Sequence, residues 1–438
     1  MKEDNYFWKY KYEPGKKLIT NNKNIKNVKP MVSIVTSYYN SNEFMWQTIN
    51  CVLKQTFQSW EWIIVDDGST NAEAIEYLEK VKKIDSRIKI YHKENGGLAL
   101  GRDYAIKYAT TDYILPLDAD DLIEPTYIET LYWTLATNKE ASWAFTNSVG
   151  FGKYIYLSDV KFDSEKMKTD NHITATALIR KNKIMELGGY GVAKRYMNED
   201  WYLWLRMLSN KQFPVQVGYY GFWYRRREDS LISDINDKKK KEYIQKMQDI
   251  KEVADTINQK VNAIIYPKIE KDNEKLEENK AFRIENLEDI EILEKNKNAF
   301  LYILPYLGTD KEMYKKVKKQ SKNKKIYIVT MQDDGQSPYY FRQKYETFST
   351  VYDLTTFIDS KYYISFIKYL LETRKIEKIF LSNTKYNKQI KSIFNIIDIK
   401  NTKNSKILYN LGIIKYKFMN LLLIRAIRKF GRFFTNNK

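Results

Sequence analysis

The sequence predicts an α/β protein with a mostly parallel sheet, followed by a second, smaller α/β unit. Three observations predict this. Short apolar segments alternate with amphipathic ones from Val32 onwards, the apolar segments end in polar or acidic residues, and the alternation resumes at Phe300 after a charge-dense stretch. Strands separated by one helix each imply right-handed crossovers and parallel pairing.

Composition limits the classes of protein that fit. A chain of 438 residues with 43% hydrophobic content predicts two or three domains. The net charge of +19 would suit nucleic acid, but Lys, Asn, Ile and Tyr are enriched together, which is typical of a compositional bias of the genome. We therefore expect no nucleic-acid partner. A single cysteine, Cys51, excludes an internal disulfide framework and fits a reducing compartment.

The sequence gives no sign of export or of a membrane span. No apolar run follows the opening MKEDNYFWKY, and no segment approaches the roughly 20 apolar residues of a spanning helix. We expect a cytoplasmic protein, either soluble or bound to the inner face of the cell membrane.

The first unit is predicted in detail after an irregular arm over residues 1–30. Its elements are the strand VSIVTSYYN, a helix from Glu43 to Gln55, the strand EWIIVDDGST, a helix from Ala72 to Lys83, the strand RIKIYHKE, a helix from Leu98 to Ala109 and the strand YILPLDADD. In open α/β sheets, ligands bind at the carboxyl ends of the strands. The residues that end these strands are therefore the candidate site.

The strand YILPLDADD delivers carboxylates to that edge. Side chains alternate along a strand, so Asp118 and Asp120 are expected to point the same way. Oxygen ligands without nearby His or Cys suit Mg²⁺ or Mn²⁺. The alternative is that these aspartates cap a helix beginning near Pro125, with Asp121 as the N-cap.

The first two strands end in residues suited to a nucleoside. Thr36 and Tyr38 lie at the end of one strand, and Asp66 and Asp67 at the end of the other. A carboxylate can accept a hydrogen bond from a uracil imide or a ribose hydroxyl, and an aromatic ring can stack on the base. A plain Asp-Gly turn with a Ser or Thr cap would explain VDDGST equally well.

Three further segments carry candidate groups. ENGGLALGRDYA places Arg102 after a glycine-rich helix start. It lacks G-x-G-x-x-G spacing, which argues against a dehydrogenase. The remaining alternatives for this segment are a phosphate site and a glycine turn. Glu199 and Asp200 begin a helix. They either supply a general base or are acidic residues favoured by the helix dipole. Arg225 to Arg227 either contact a diphosphate or form a solvated basic face.

Six segments occur in one order within residues 31–235: VSIVTSYYN, WIIVDDGST, GGLALGRDYAI, YILPLDADD, NEDWYLW and YRRREDSLIS. Together they resemble the catalytic domain of glycosyltransferase family 2. The resemblance implies a GT-A fold, a nucleotide diphosphate sugar as donor and transfer with inversion. Six collinear motifs are far more specific than any one of them.

The resemblance also implies roles for single residues. Asp200 matches the catalytic base, with Glu199 as the next candidate, and Asp120 matches the direct metal ligand beside Asp118, with Mn²⁺ or Mg²⁺ as cofactor. The residues implied in donor binding are Thr36, Tyr38, Asp66, Asp67, Arg102, Asp118, Ala119, Asp120, Arg225 and Arg227. The chain departs from the family pattern at Arg227, where a histidine is usual, which indicates a direct cationic contact with the diphosphate.

The rest of the chain divides into three predicted parts. Residues 236–298 read as a Lys-rich helix, packed on the first domain or forming a coiled coil, and a charged linker. Residues 299–400 form a Rossmann-like domain that resembles the N-terminal half of a GT-B glycosyltransferase. Residues 401–438 form a basic amphipathic tail, which is either an interfacial membrane helix or a helix that closes the second domain.

The function that these expectations support is an inverting, metal-dependent glycosyltransferase. The donor is expected to be a UDP-sugar, and the acceptor a glycan or lipid-linked glycan of bacterial surface polysaccharide or glycoprotein synthesis. The alternative is a noncatalytic carbohydrate-binding or scaffold protein that keeps the glycosyltransferase fold.

Overall fold

A computed structural model of the chain describes most of both α/β units. The described residues are 29–153, 155–190, 198–227, 237–268, 299–307, 311–332, 342, 344–374, 376–382, 384, 386, 390 and 412–415. The predicted arm, most of the charged linker and most of the tail lie outside them.

The first unit is built on one sheet of ten strands. These are β1 (Val32–Tyr38), β2 (Trp60–Asp66), β3 (Ile88–His92), β4 (Tyr113–Pro116), β5 (Leu122–Ile123), β6 (Trp143–Gly152), β7 (Tyr156–Ser158), β8 (Leu178–Arg180), β9 (Pro214–Arg226) and β10 (Ile264–Ile265). The order is β10-β9-β6-β8-β4-β1-β2-β3, with β5 paired to β9 and β7 to β6. Strands β1 to β4 pair in parallel, while β8 runs antiparallel to both β4 and β6.

Helices connect these strands as the sequence predicts. They are α1 (Asn42–Leu53), α2 (Ala72–Val81), α3 (Leu98–Tyr108), α4 (Tyr127–Thr137), α5 (Ser164–Met167), α6 (Lys181–Met185), α7 (Glu199–Ser209) and α8 (Asp237–Thr256). The first three lie within two residues of the predicted bounds. The α/β class with a mostly parallel sheet is therefore confirmed.

The parallel pairing brings three strand ends to one edge. In the register of the sheet, Tyr38 lies opposite Asp66, and Val35 lies opposite Pro116. Because β1 is the central strand of the three, the loops that follow β1, β2 and β4 are neighbours. This is the edge that the sequence selects as the candidate site.

The first domain continues beyond the predicted boundary at residue 235. Ile250 and Ala254 of α8, and Ile257 directly after it, are buried in the same apolar cluster as Trp204 of α7. Strand β10 then adds to the sheet beside β9. Helix α8 therefore packs on the first domain, as the sequence favours over a coiled coil, and β10 belongs to the first sheet rather than to a linker.

The second unit is a smaller sheet of five strands. Its elements are β11 (Ala299–Leu304), α9 (Lys311–Gln320), β12 (Lys325–Thr330), β13 (Thr350–Asp353), α10 (Tyr363–Thr373), β14 (Ile376–Leu381) and β15 (Gly412–Lys415). The order is β13-β12-β11-β14-β15, and all neighbours are parallel except β14 and β15. The predicted α/β unit is confirmed. Residues 412–415 of the predicted amphipathic tail helix are instead an edge strand.

Helix α4 lies between the two domains. All its residues from Tyr127 to Leu135 are buried, as expected for a helix covered on every side. The ring of Trp133 contacts the rings of Phe366 and Tyr369 at 5.0 and 5.2 Å between centroids. The second domain therefore completes the core over the outer face of α4.

A buried carboxylate joins the domains at this helix. Glu129 of α4 accepts hydrogen bonds from Tyr352 and Tyr369 and from the Arg374 guanidinium, all of the second domain. Thr56 of the first domain donates to the same carboxylate at 2.5 Å. Burial alone would raise the pKa of Glu129, but Arg374 and the hydroxyl donors hold it below its usual range. Within the described part of the chain, no helix is long and apolar enough to cross a membrane.

Candidate active site

The acidic residues after β4 lie on a turn rather than on the strand itself. Strand β4 ends at Pro116, and the backbone N–H of Asp121 donates to the carbonyl of Asp118 at 3.3 Å. The alternation that predicts a common direction for Asp118 and Asp120 therefore does not apply. The cap alternative is also wrong, because α4 begins at Tyr127 with Thr126 as its N-cap residue.

Arg225 of β9 holds this turn from the opposite side. Its Nε donates to the carbonyl of Asp120 at 2.7 Å, and its backbone N–H donates to the Asp121 carboxylate at 2.8 Å. Its Nη2 donates to Oε1 of Gln47, and the guanidinium carbon lies 4.2 Å from the Phe44 ring centroid. Arg225 is therefore a scaffold of the acidic turn, and Gln47 is a partner that no sequence signal marks.

Asp120 and Arg227 lie at the accessible side of the turn. The Asp120 carboxylate is 3.6 Å from Nη1 of Arg227, and both side chains are 28% exposed. Burial and then the neighbouring Asp118 raise the pKa of Asp120 to about 6, with Arg227 and Arg225 opposing the shift. Two neighbouring carboxylates at a partly open site gain from an added cation.

These oxygens fit a hard divalent cation that takes its other ligands from elsewhere. Among the described residues, no group of three or more His, Cys, Asp or Glu side chains could hold a metal. Mg²⁺ is commonly bound through one or two carboxylates together with substrate phosphates and water. Asp120 and Asp118 would be the protein ligands in such a site.

The predicted donor-binding residues of β1 are buried. Thr36 accepts from the Trp62 indole at 2.9 Å and donates to the carbonyl of Leu117 at 2.6 Å. The Tyr38 hydroxyl donates to the carbonyl of Ala74. Both side chains have no exposed surface. They anchor the neighbouring loops, whereas Tyr39, the next residue, is 46% exposed and is the aromatic ring at this end of β1.

Asp66 keeps one carboxylate oxygen close to a histidine. Its Oδ1 accepts from the backbone of Ser69 at 3.0 Å, and its Oδ2 lies 3.0 Å from Nδ1 of His92. His92 ends β3, so the two outer strands are joined at the candidate edge. His92 is a second neighbour of the site that the sequence motifs do not mark.

Asp67 fills the glycine-rich helix start. Its carboxylate accepts from the backbone N–H groups of Gly96 and Gly97 at 2.9 and 2.7 Å, and Nζ of Lys93 lies 2.5 Å away. Gly97 has φ +92°, a conformation that residues with a side chain rarely adopt. Because an internal carboxylate takes these two amides, they are not available to a phosphate at the loop before α3.

Arg102 joins the acidic turn to the start of α7. Its Nη2 donates to Asp118 at 2.6 Å, and its Nη1 donates to Glu199 at 2.5 Å. The Arg102 side chain is 1% exposed, whereas that of Asp118 is 29% exposed. The buried guanidinium therefore binds both carboxylates from the protein interior. Asp118 has the most exposed side chain of the three residues.

Glu199 and Asp200 have different surroundings. Burial raises the pKa of Glu199 to about 7, with the Arg102 charge opposing and Asp200 adding to the shift. Asp200 is partly exposed, and it accepts from Nδ2 of Asn171 at 3.2 Å. Burial also raises the pKa of Asp200, against the Arg102 charge. Asp200 is thus the accessible carboxylate of the pair, and Asn171 orients it without a signal in the sequence.

Comparison with known proteins identifies the first unit. Residues 33–200 match the family model "Glycosyl transferase family 2". The chain is 32% identical over 143 residues to glycosyltransferase GlyG of Streptococcus pneumoniae, covering 31% of this chain and 47% of the relative. It is 42% identical over 96 residues to the putative teichuronic acid biosynthesis glycosyltransferase TuaG of Bacillus subtilis, covering 22% and 38%. The chain thus spans about half the length of these relatives, or less.

A solved structure is also similar. The crystal structure of S. aureus TarS 1-349 in complex with UDP-GlcNAc has 19% sequence identity and a TM-score of 0.40, covering 47% of this chain and 61% of that one. The fold and the acidic edge define an α/β domain of the GT-A-like class. Residues 33–200 are the part of this domain that is similar to glycosyltransferase family 2.

Proposed function

We propose that this protein is an inverting glycosyltransferase that moves a sugar from a nucleotide diphosphate sugar to a hydroxyl group of a glycan. One observation carries the proposal. The acidic turn after β4 and the Glu199-Asp200 pair, which lie 78 or more residues apart in the chain, meet at one edge of the sheet through Arg102. A leaving-group site and a base on one edge are what a single displacement requires.

Asp200 is proposed as the general base. Its partly exposed carboxylate accepts the proton of the acceptor hydroxyl while the oxygen attacks the anomeric carbon. Glu199 is unsuited to this role because Arg102 occupies it and it is buried. The bond from the anomeric carbon to the diphosphate oxygen breaks in the same step, and the diphosphate leaves with the bonding electrons.

The opposite side of the reaction needs positive charge for the departing diphosphate. Arg227 is the partly exposed cation beside Asp120 and would contact the phosphate oxygens. A divalent cation bound by Asp120 and Asp118, Mn²⁺ or Mg²⁺, would neutralise the diphosphate when bound. Arg225 keeps the turn in place and is proposed to act through it.

The nucleotide is proposed to lie over the ends of β1 and β2. Tyr39 offers the exposed ring for stacking on the base, and Asp66 ends β2 opposite Tyr38, the residue before Tyr39. We propose a UDP-sugar as donor, as the family resemblance implies. The roles of Thr36, Tyr38 and Arg102 in donor binding stay predictions, since the contacts described above engage their side chains within the protein.

The acceptor is proposed to be a glycan or lipid-linked glycan of surface polysaccharide synthesis. TuaG is described as a putative teichuronic acid biosynthesis enzyme, which supports this class. A location at the inner face of the membrane, through the basic residues of 401–438, belongs to the same proposal. Sedimentation with anionic vesicles would test it, and full-length protein that does not pellet at physiological salt would contradict it.

A hydrolysis and transfer screen tests the proposed activity. Purified protein is incubated with UDP-, GDP- and dTDP-sugars, with Mn²⁺ or with EDTA, and release of the nucleoside diphosphate is measured. The expected result is release from one donor class that Mn²⁺ stimulates and D200N abolishes. No release from any donor, together with retained binding to glycans, would favour the noncatalytic carbohydrate-binding protein.

A further inference from the structure

Arg102 bonds both acidic elements of the site. It comes from α3, whereas Asp118 follows β4 and Glu199 begins α7. Its planar guanidinium donates to the two carboxylates through different nitrogens, at 2.6 and 2.5 Å. A single lysine ammonium cannot reproduce this fork, because it is a point donor on a flexible chain.

The surroundings of Arg102 fix its position. The Tyr190 ring centroid lies 5.4 Å from the guanidinium carbon, and both residues are buried. Glu199 is buried beside them. A guanidinium enclosed in this way cannot change its direction without breaking an ion pair that has little access to water.

We propose that Arg102 and Glu199 together form a positioning pair, which sets the distance between the base Asp200 and the leaving-group site at Asp118. The inference rests on the proposed function. Asp200 immediately follows Glu199, so a contact that fixes Glu199 also fixes the first turn of α7. Asn198, the N-cap residue, has φ +64°, so this turn starts from an uncommon backbone conformation that needs a tertiary contact to hold it.

This role differs from the one that the family resemblance implies for Arg102. A ligand of the nucleotide lowers the dissociation constant of the donor, and its loss weakens binding. A positioning pair acts on the geometry of proton transfer, so its loss lowers kcat while nucleotide binding stays nearly unchanged. The two roles therefore predict different measurements on the same variants.

The test compares R102K, E199Q and the double variant with wild type. We expect kcat to fall about 10- to 100-fold in each single variant, and the double variant to lose no more than the worse single one. The dissociation constant for UDP with Mn²⁺, measured by calorimetry, should change less than about threefold. R87K is the matched control, because Arg87 is also a buried arginine paired to a carboxylate, Asp85, but precedes β3 at the opposite end of the strand.

Several outcomes would overturn the inference. A UDP dissociation constant raised tenfold or more in R102K, with kcat unchanged, makes Arg102 a nucleotide ligand. Losses of kcat that multiply in the double variant make the two residues independent. Unchanged kcat with a lowered unfolding midpoint, as expected of R87K, leaves only a structural role.

If R102K does not fold, E199Q alone decides by the same split between kcat and binding. A wild type inactive on every donor overturns the proposed function and this inference with it.

Discussion

The carboxylate of Glu129 lies 2.5 Å from the guanidinium of Arg374, although 245 residues separate them in the chain. Both side chains are buried, and each comes from a different domain. A buried ion pair contributes little over a well-packed apolar pair, but the loss of one partner leaves an uncompensated charge inside the protein. The contact therefore makes the folding of each domain depend on the other.

We predict that E129Q destabilises the whole protein by roughly 3–5 kcal/mol, because Arg374 keeps its charge and loses its carboxylate partner. Denaturant unfolding followed by fluorescence measures this loss. E377Q is the control, since the Lys324–Glu377 pair is about 30% exposed on each side and such pairs contribute about 0–1 kcal/mol. Equal effects of the two substitutions would show that the domains are held together by apolar packing alone.

Glu124 gives a prediction for the pH dependence of stability. Burial and the nearby Glu346 raise its pKa to about 8, against hydrogen bonding from Trp223 and the charge of Arg342. A raised pKa in the folded state means that the folded protein binds the proton more tightly, so stability is lost as pH rises from about 4.5 to 8. We expect E124Q to lose less stability than wild type over this interval.

The measurement is the unfolding midpoint from pH 5 to pH 9. The full shift would correspond to several kcal/mol, at about 1.4 kcal/mol for each pKa unit. E76Q serves as a control, because Glu76 is exposed and its ion pair is with Lys80 on the same helix. Parallel curves for wild type and E124Q would show that Glu124 does not titrate in this range.

Substitution of Asp120 tests the proposed metal site. D120N removes one charge from the acidic turn without emptying the core, because the side chain is 28% exposed. We expect nucleotide diphosphate binding to become insensitive to Mn²⁺, since the metal loses its direct ligand. Titration of UDP with and without Mn²⁺ measures this, and a stimulation equal to that of wild type would place the metal elsewhere.

Substitution of Asp200 tests the base. D200N should bind donor normally and lose transfer by roughly two to four orders of magnitude, the usual size of general-base catalysis. The wild-type rate should fall as pH drops through the pKa of Asp200, which burial raises above its usual range. Near wild-type turnover in D200N would exclude Asp200 as the base. N171A is a companion variant with a smaller expected loss of transfer, because Asn171 donates to the Asp200 carboxylate.

The sequence predicts the sheet well and the side-chain partners poorly, for a physical reason. Apolar periodicity follows from burial along one segment, so β1 and α1 to α3 are found within two residues of their predicted bounds, and β2 begins within one residue of its predicted start. The partners of Arg102 and Asp67 depend on segments far away in the chain. Asp67 carries the carboxylate expected of a donor ligand, yet backbone N–H groups 29 and 30 residues later donate to it. Nothing local to VDDGST encodes that contact.

The same limit explains the errors around the acidic turn. Acidic residues after an apolar strand are compatible with an extended segment, a turn or a helix cap. The choice of a turn depends on Arg225, which lies more than one hundred residues away and bonds the backbone of Asp120. The extent of the first domain is missed similarly, since β10 has only two residues and is defined by its pairing with β9.

Asp67 has a consequence for attempts to introduce a phosphate site at the loop before α3. Its carboxylate already satisfies the amides of Gly96 and Gly97, so the protein carries an internal mimic of a bound phosphate. A phosphate group can bind these amides only after Asp67 is replaced, and Lys93 would then lose its ion pair with Asp67 and keep its hydrogen bond to the carbonyl of Glu94. A single substitution of Asp67 would thus turn a loop whose amides are occupied into one whose amides can bind an anion.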